Sequence, residues 1–398
     1  MQRPSLEVAD IIRALTDPVT AQVSGLCASA AQYKVLRAIV ACRTARLGGH
    51  VQQCDKCAHR TIAYNSCRNR HCPKCQARAR ARWFEARGRD LLPVGYFHVV
   101  FTLPAELAPL ALQSKHVVYD ILFRAACETL VQIAADPKHP GAAIGVLAVL
   151  HTWGQTLTHH PHIHCVVPGG GLSVDGQRWI SSRPNYFVPV KVLSRVFRGK
   201  FLDYLGQAHR DGKLSLTASL EHLGDPDCFL ALLREVRRKP WVVYSKAPMA
   251  GPEQVLKYLS RYTHRVAIAN SRLVSIEQGR VSFRYKDYAQ GGQQRVMSLD
   301  GVEFLRRFLL HVLPRGFVRI RSYGLLANCS RREKIARCRS LIDRAAVGVY
   351  DDARGARADS QLVGVRCPEC GLGVMVTIEI FRPYSIRLPS LLATLDSS

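Results

Sequence analysis

The chain has 398 residues, enough for two or three domains, and its 47% hydrophobic content is ample for a real core. Lysine and arginine number 56 against 30 acidic residues, a formal charge of +26 that points to a polyanionic partner, nucleic acid ahead of a membrane surface. The opening Met1-Gln-Arg-Pro-Ser-Leu-Glu-Val-Ala-Asp10 lacks the apolar core of a signal peptide, and no run approaches roughly 18 apolar residues. The 14 cysteines therefore read as reduced thiols and metal ligands rather than a disulfide framework, and a cytoplasmic protein with no membrane partner is expected.

Cys54-Asp-Lys-Cys57 and Cys72-Pro-Lys-Cys75 are two CxxC hooks separated by 14 residues. Each hook places two thiolates on one ion, and the spacing predicts a tetrahedral four-cysteine structural zinc site. A short strand, Thr61 to Ser66, fills the interval, and Cys67, His71, His50 and His59 are spare donors. A basic helix is predicted from Gln76 to Arg89. Arg68, Arg70, Arg78 and Arg82 belong to this region, where arginine on a small zinc-pinned platform would contact phosphates without reading bases.

After Pro93, Tyr96 to Leu103 reads as a strand, and Val117 to Ile133 reads as a helix with apolar residues at three-four spacing. Gly145 to Thr152 is a strand leading into a histidine-rich stretch that runs from His151 to His164. Within it His162-Ile163-His164 opens a strand that continues to Pro168. Alternate strand residues share a face, so His162, His164 and Val166 point one way and Ile163, Cys165 and Val167 the other. Two imidazoles so placed can converge on one divalent ion, with coordination positions left for phosphate and water. Gln155, where the incoming strand ends, is the candidate third ligand, with His159 and His160 in the turn as competitors. The bland alternative is a histidine-rich turn that simply packs. Leu172 to Ile180 carries the hairpin signal Val174-Asp-Gly-Gln177.

Pro252 to His264 is predicted to be a helix, with Pro252 suited to its first position. Tyr258 and Tyr262 stand four apart, on the border between the apolar stripe of Val255, Leu256 and Leu259 and a positive flank of Arg261 and Arg265. Arginine nearby favours phenolate and binds phosphate. Border tyrosines are common, and the histidine pair upstream is what makes these two candidate nucleophiles. Further strands are expected at 265–269 and 280–288, a helix at 305–313, and a basic extended segment at 317–323 that could line a strand-binding channel. A third hook, Cys367-Pro-Glu-Cys370, lies near the C-terminus, with Cys329 and Cys338 as conceivable partners. The order of elements predicts an α+β fold, a mainly antiparallel sheet flanked by helices.

Three segments, Ser66 to Gln76, Trp153 to His164 and Lys257 to Ile268, occur in the order zinc module, histidine clamp, tyrosine pair. In this the chain resembles the insertion-sequence 91 family of two-tyrosine HUH transposases, over roughly residues 20–330. The resemblance implies a zinc-binding module at 1–92, an HUH catalytic domain at 93–330 and a basic tail with a lone CxxC at 331–398. By position, the resemblance implies that His162 and His164, with Gln155, would hold a catalytic Mg²⁺ or Mn²⁺, that Tyr258 and Tyr262 would be nucleophiles, and that Cys54, Cys57, Cys72 and Cys75 would hold zinc. The implied activity is nicking and rejoining of single-stranded DNA at element ends and targets through a 5′-phosphotyrosine, in a bacterial, nucleoid-associated setting. No G-x-x-x-x-G-K-[ST] loop occurs, so a host helicase and replication machinery would separate the strands. A replication initiator of the same superfamily and a non-catalytic zinc-dependent DNA-binding regulator are the rival readings.

Overall fold

The structure is a computed structural model that describes residues 6–17, 23–76, 81, 90–183, 188–249, 267–346 and 365–383. Its centre is a five-stranded, wholly antiparallel sheet in the order β12-β4-β5-β3-β8. These strands are β3 (Tyr96–Thr102), β4 (Gly145–Trp153), β5 (His159–Pro168), β8 (Val243–Met249) and β12 (Ile320–Gly324). β4 and β5 form a hairpin, and residues 162–168 of β5 also pair with β3.

One face of this sheet is a closed hydrophobic layer. Phe97, Val99 and Phe101 from β3 share it with Val146, Ala148 and Leu150 from β4 and with Ile163, Cys165 and Val167 from β5. Two long helices, Lys115–Ala135 and Val190–Arg210, pack on that face and add Phe123, Phe197 and Phe201. The first of them is rich in helix formers and buries Val118, Tyr119, Leu122, Phe123, Ala126, Leu130 and Ile133 at three-four spacing. It stops at Asp136, before Pro137, because the residue preceding a proline is biased away from helical backbone. Each fully buried phenylalanine in this layer is worth about 1.5–3 kcal/mol relative to exposure. The alternation expected for 162–167 therefore holds: the odd residues go into the core, and the even ones face away from the helices.

A second core lies elsewhere. The N-terminal helices Val8–Leu15 and Ala30–Ala41 pack with the sheet β9-β10-β11 (Leu273–Glu277, Arg280–Asp287 and Gln293–Asp300) and with the helix Gly301–Leu310. Asp300 caps that last helix through Val302 N and Glu303 N, which sets its start four residues ahead of the predicted one. Residues 280–287 form a strand as expected, whereas 267–269 do not and residues 265 and 266 lie outside the described set. The third sheet joins distant parts of the chain: β1 (Gly49–Cys54) lies between β2 (Arg60–Tyr64) and β13 (Met375–Phe381). The α+β architecture with a central antiparallel sheet is thus present. Among the described residues, no helix is long and apolar enough to cross a membrane.

Candidate metal centre and zinc module

On the sheet face away from the helices, His162 on β5 stands directly opposite His151 on β4, while His164 pairs with Val149 and Val100. Directly opposed residues on antiparallel strands share a face, so this register brings three imidazoles together. The ring centres of His151 and His164 are 4.3 Å apart, those of His162 and His164 4.9 Å, and those of His151 and His162 5.4 Å. One ring nitrogen from each lies within 4.8 Å of the others.

Hydrogen bonds engage Nδ1 of two of the rings, His162 and His164. His162 Nδ1 is 2.7 Å from the His160 carbonyl oxygen; a carbonyl only accepts, so Nδ1 carries the proton and Nε2 holds the lone pair. His164 Nδ1 lies 2.8 Å from His98 Nε2, on the neighbouring strand β3, so His98 orients that ring. Trp153 stacks on His151 with ring centres 4.5 Å apart. Burial pushes His162 down to about 4 and His98 likewise to about 4, the latter helped by Lys246. These rings are neutral near pH 7, the state a metal ligand requires. The donor set fits a divalent ion held by imidazole.

The residue that the structure places beside the pair is His151 and not Gln155. Gln155 lies in the turn after β4, where its carbonyl accepts from Arg272 and its side-chain oxygen is turned to Lys286 N at 3.5 Å. His159, a competitor, is also committed elsewhere: its Nε2 pairs with Tyr119 Oη at 2.8 Å. The signal for His151 was present in the sequence. Once residues 145–153 and 159–168 are joined as a hairpin, its register puts residue 151 across from residue 162.

The cysteines divide differently from the expectation. Cys54, Cys57, Cys72 and Cys75 do not converge; each hook belongs to its own cluster. Cys72 and Cys75 meet Cys42 and Cys67, whereas Cys54 and Cys57 meet Cys367 and Cys370. The hairpin β1–β2 is the physical reason. Cys54 and Cys57 occupy its tip, while Cys42 and Cys67 flank its base, where Arg43 N donates to Asn65 O. Six strand residues put about 20 Å between tip and base, too far for one ion. Cys42 carries no hook of its own and offered no sequence signal. The conceivable partners Cys329 and Cys338 are not involved: Cys329 is exposed, and Cys338 is buried with Leu92, Leu172, Leu325 and Ile335.

In the cluster at the base of the hairpin, Cys75 Sγ is 3.6 Å from both Cys42 Sγ and Cys67 Sγ. Four sulfurs at about 2.3 Å from a tetrahedral zinc stand about 3.8 Å apart, so the spacing fits. The Cys42 thiol is held far down by the side chains of Cys67 and Cys72, while Cys67 and Cys72 are pushed up through the Cys42 sulfur. Thiols packed this tightly cannot all ionise without a cation among them.

Of the arginines singled out for DNA, Arg68 and Arg70 are exposed, and Arg70 also donates to Phe317 O at 2.6 Å, which ties the zinc module to the segment leading into β12. Arg78, Arg82, Arg261 and Arg265, together with Tyr258 and Tyr262, lie outside the described residues.

Comparison with known proteins gives a consistent picture. A family described as "Transposase zinc-binding domain" matches residues 12–103, and one described as "Putative transposase" matches residues 145–334. A Sinorhizobium fredii protein named "Putative transposase y4qJ" is 54% identical over 389 residues, 96% of this chain and 97% of that protein. The "Transposase for insertion sequence element IS801" of Pseudomonas savastanoi pv. phaseolicola is 29% identical over 350 residues, 86% of this chain and 82% of the relative. No solved structure matches.

Proposed function

Since the chain belongs to the insertion-sequence 91 family of transposases and carries that family's zinc-binding domain, we propose that it nicks and rejoins single-stranded DNA by metal-assisted tyrosine transesterification. Family membership makes it a DNA-processing enzyme, which sets aside a non-catalytic regulator and favours a transposase over a replication initiator. The observation that carries the chemical reading is the convergence of His151, His162 and His164 on one face of the central sheet.

A Mg²⁺ or Mn²⁺ ion bound there would polarise the non-bridging oxygens of a scissile phosphate. The protein's own part is to hold the imidazoles neutral and oriented: His160 O fixes the His162 tautomer, and His98 orients His164. Tyr258 or Tyr262 supplies the nucleophile. Its oxygen forms a bond to phosphorus, the bond from phosphorus to the 3′ oxygen breaks, and the tyrosine proton passes to solvent while the leaving oxygen takes one up. The products are a 5′-phosphotyrosine and a free 3′-hydroxyl. One phosphoester replaces another, so rejoining by a 3′-hydroxyl needs no nucleotide cofactor. Two tyrosines permit two such links in turn, which suits transfer of one strand, and strand separation falls to host helicase and replication proteins. Arg261 and Arg265 favour phenolate and grip phosphate, and Arg68, Arg70, Arg78 and Arg82 supply sequence-independent phosphate contacts.

The test is cleavage of end-labelled single-stranded DNA from the element's ends with Mg²⁺ or Mn²⁺. The wild-type protein should release a fragment with a 3′-hydroxyl, and the His162→Ala/His164→Ala variant should bind DNA but cleave it several orders of magnitude more slowly. Cleavage by that variant at the wild-type rate would overturn the reading.

A further inference from the structure

We propose that this chain holds a second structural zinc ion, shared equally between its two ends, through Cys54 and Cys57 at the tip of the β1–β2 hairpin and Cys367 and Cys370 just before β13. The matched zinc-binding domain ends at residue 103 and so contains only half of this site. The first cluster is complete within that domain, and the second is complete only when the C-terminal hook is seated.

The sulfur geometry is that of a tetrahedral ion. Cys54 Sγ is 3.7 Å from Cys370 Sγ, Cys57 Sγ is 3.6 Å from Cys367 Sγ, and all four sulfurs lie within 4.8 Å of one another. A tetrahedral zinc–thiolate set requires about 3.8 Å. A disulfide would need about 2.05 Å between sulfurs, so these are facing thiols. They pair across the two hooks, which spreads the four donors around one point.

Both hooks have the backbone of a metal-binding knuckle. In the first, Lys56 N and Cys57 N lie 3.3 and 3.4 Å from Cys54 Sγ, and Ala58 follows at φ 57°. In the second, Gly373 N lies 3.4 Å from Cys370 Sγ, and Gly371 follows at φ 66°. In each hook a left-handed residue follows the second cysteine, and backbone N–H groups lie against a cysteine sulfur.

The hooks are also fitted to each other apart from any ion. Asp55 N donates to Val374 O at 3.1 Å, and Val374 N donates back to Asp55 Oδ1 at 2.8 Å. A Cβ at Gly373 would lie 2.3 Å from Cys54 Sγ, so the C-terminal turn approaches as closely as glycine allows. From there β13 runs antiparallel to β1, from Cys54 opposite Met375 to Gly49 opposite Phe381. At the far end the Phe381 ring packs edge-on to Tyr64, 6.0 Å between centres, over Gly49. The sequence separation across the cluster is 310 and 316 residues. The catalytic sheet and its helices are thus enclosed in a loop that this cluster closes.

Zinc analysis of the purified full chain tests the proposal. The wild type should carry two cysteine-held equivalents, beside any ion that the histidines of the central sheet retain. The full-length Cys367→Ser/Cys370→Ser variant and the Cys54→Ser/Cys57→Ser variant should each carry one, and combining all four changes should still leave one, held by the other cluster. A zinc content in the Cys367→Ser/Cys370→Ser variant equal to that of the wild type would overturn it. A measurement on the unaltered protein covers the case of variants that fail to fold. Under stepwise chelation, Cys54, Cys57, Cys367 and Cys370 should become reactive to a thiol alkylator together. Cys367 and Cys370 reacting at the rate of free thiols, with Cys54 and Cys57 still protected, would equally overturn it. Neither readout involves DNA, so its failure leaves the nuclease reading untouched.

Discussion

In the central sheet, three histidines meet because β4 and β5 are consecutive strands of one hairpin, whose register puts His151 across from His162. In the cysteine module the donors come from up to 316 positions apart, and tertiary pairing of β1 with β13 delivers half of one cluster. The two sites also rest on different supports. The histidine cluster sits on a sheet whose other face is a continuous apolar core, which holds in place the strands that carry it. The cysteine cluster at the hairpin tip has a small apolar neighbourhood, Met375 and its own sulfurs, so its geometry leans on whatever binds there. A rigid sheet suits a centre that must offer open positions to a substrate, and a closed thiolate set suits a purely structural ion.

The sharpest way to break this contrast is to remove one histidine at a time. His151→Ala should lower single-strand cleavage on the order of 100-fold or more, since one ligand of the polarising ion is lost. Gln155→Ala, by contrast, should cleave near the wild-type rate, because its side-chain oxygen is turned to the backbone of β10. The reverse outcome, measured as initial cleavage rates at saturating Mn²⁺, would return the third ligand to Gln155. A smaller effect sharpens the same point: His98→Ala should cost about 10- to 100-fold through loss of orientation at His164, with raised Mn²⁺ demand. Unchanged Mn²⁺ dependence in that variant would remove His98 from the centre.

These cases also show where sequence reading reached and where it stopped. Alternation along 162–167 is a local, period-two property, so the facing of His162 and His164 was legible, and so was the helix over 117–133. His151 was missed because a face can be read from one strand, but a register needs two. The cysteine hooks were legible as hooks. Their grouping was not, because nothing in the interval between Cys57 and Cys72 reveals that a hairpin carries one hook away from the other. Cys42, which has no neighbouring cysteine, was invisible, and Cys367 and Cys370 found their partners only through β13.

The smallest of these effects is on stability. Burial holds His71 and His311 at about 3, against an ordinary 6.5, with Arg319 and Arg70 adding to His71. Folded-state values below the unfolded ones mean that the unfolded chain binds more protons on acidification. The stabilisation is fully present above about pH 6.5 and is lost as pH falls toward those folded values. The thermal midpoint should therefore be flat above about pH 7 and fall steadily below about pH 6. A His311→Gln variant, which cannot titrate there, should show a shallower fall, and an identical acid profile would contradict the assignment.

The proposed reaction turns on which group takes up the DNA strand. The most direct measurement is to trap protein with single-stranded DNA and Mn²⁺, isolate the denaturant-resistant adduct and map the modified peptide by mass spectrometry. The predicted result is a phosphotyrosine at Tyr258 or Tyr262, absent from the Tyr258→Phe/Tyr262→Phe variant and from the His162→Ala/His164→Ala variant. An adduct that persists in the doubly substituted tyrosine protein, on Tyr285 or Tyr288 for instance, would contradict it.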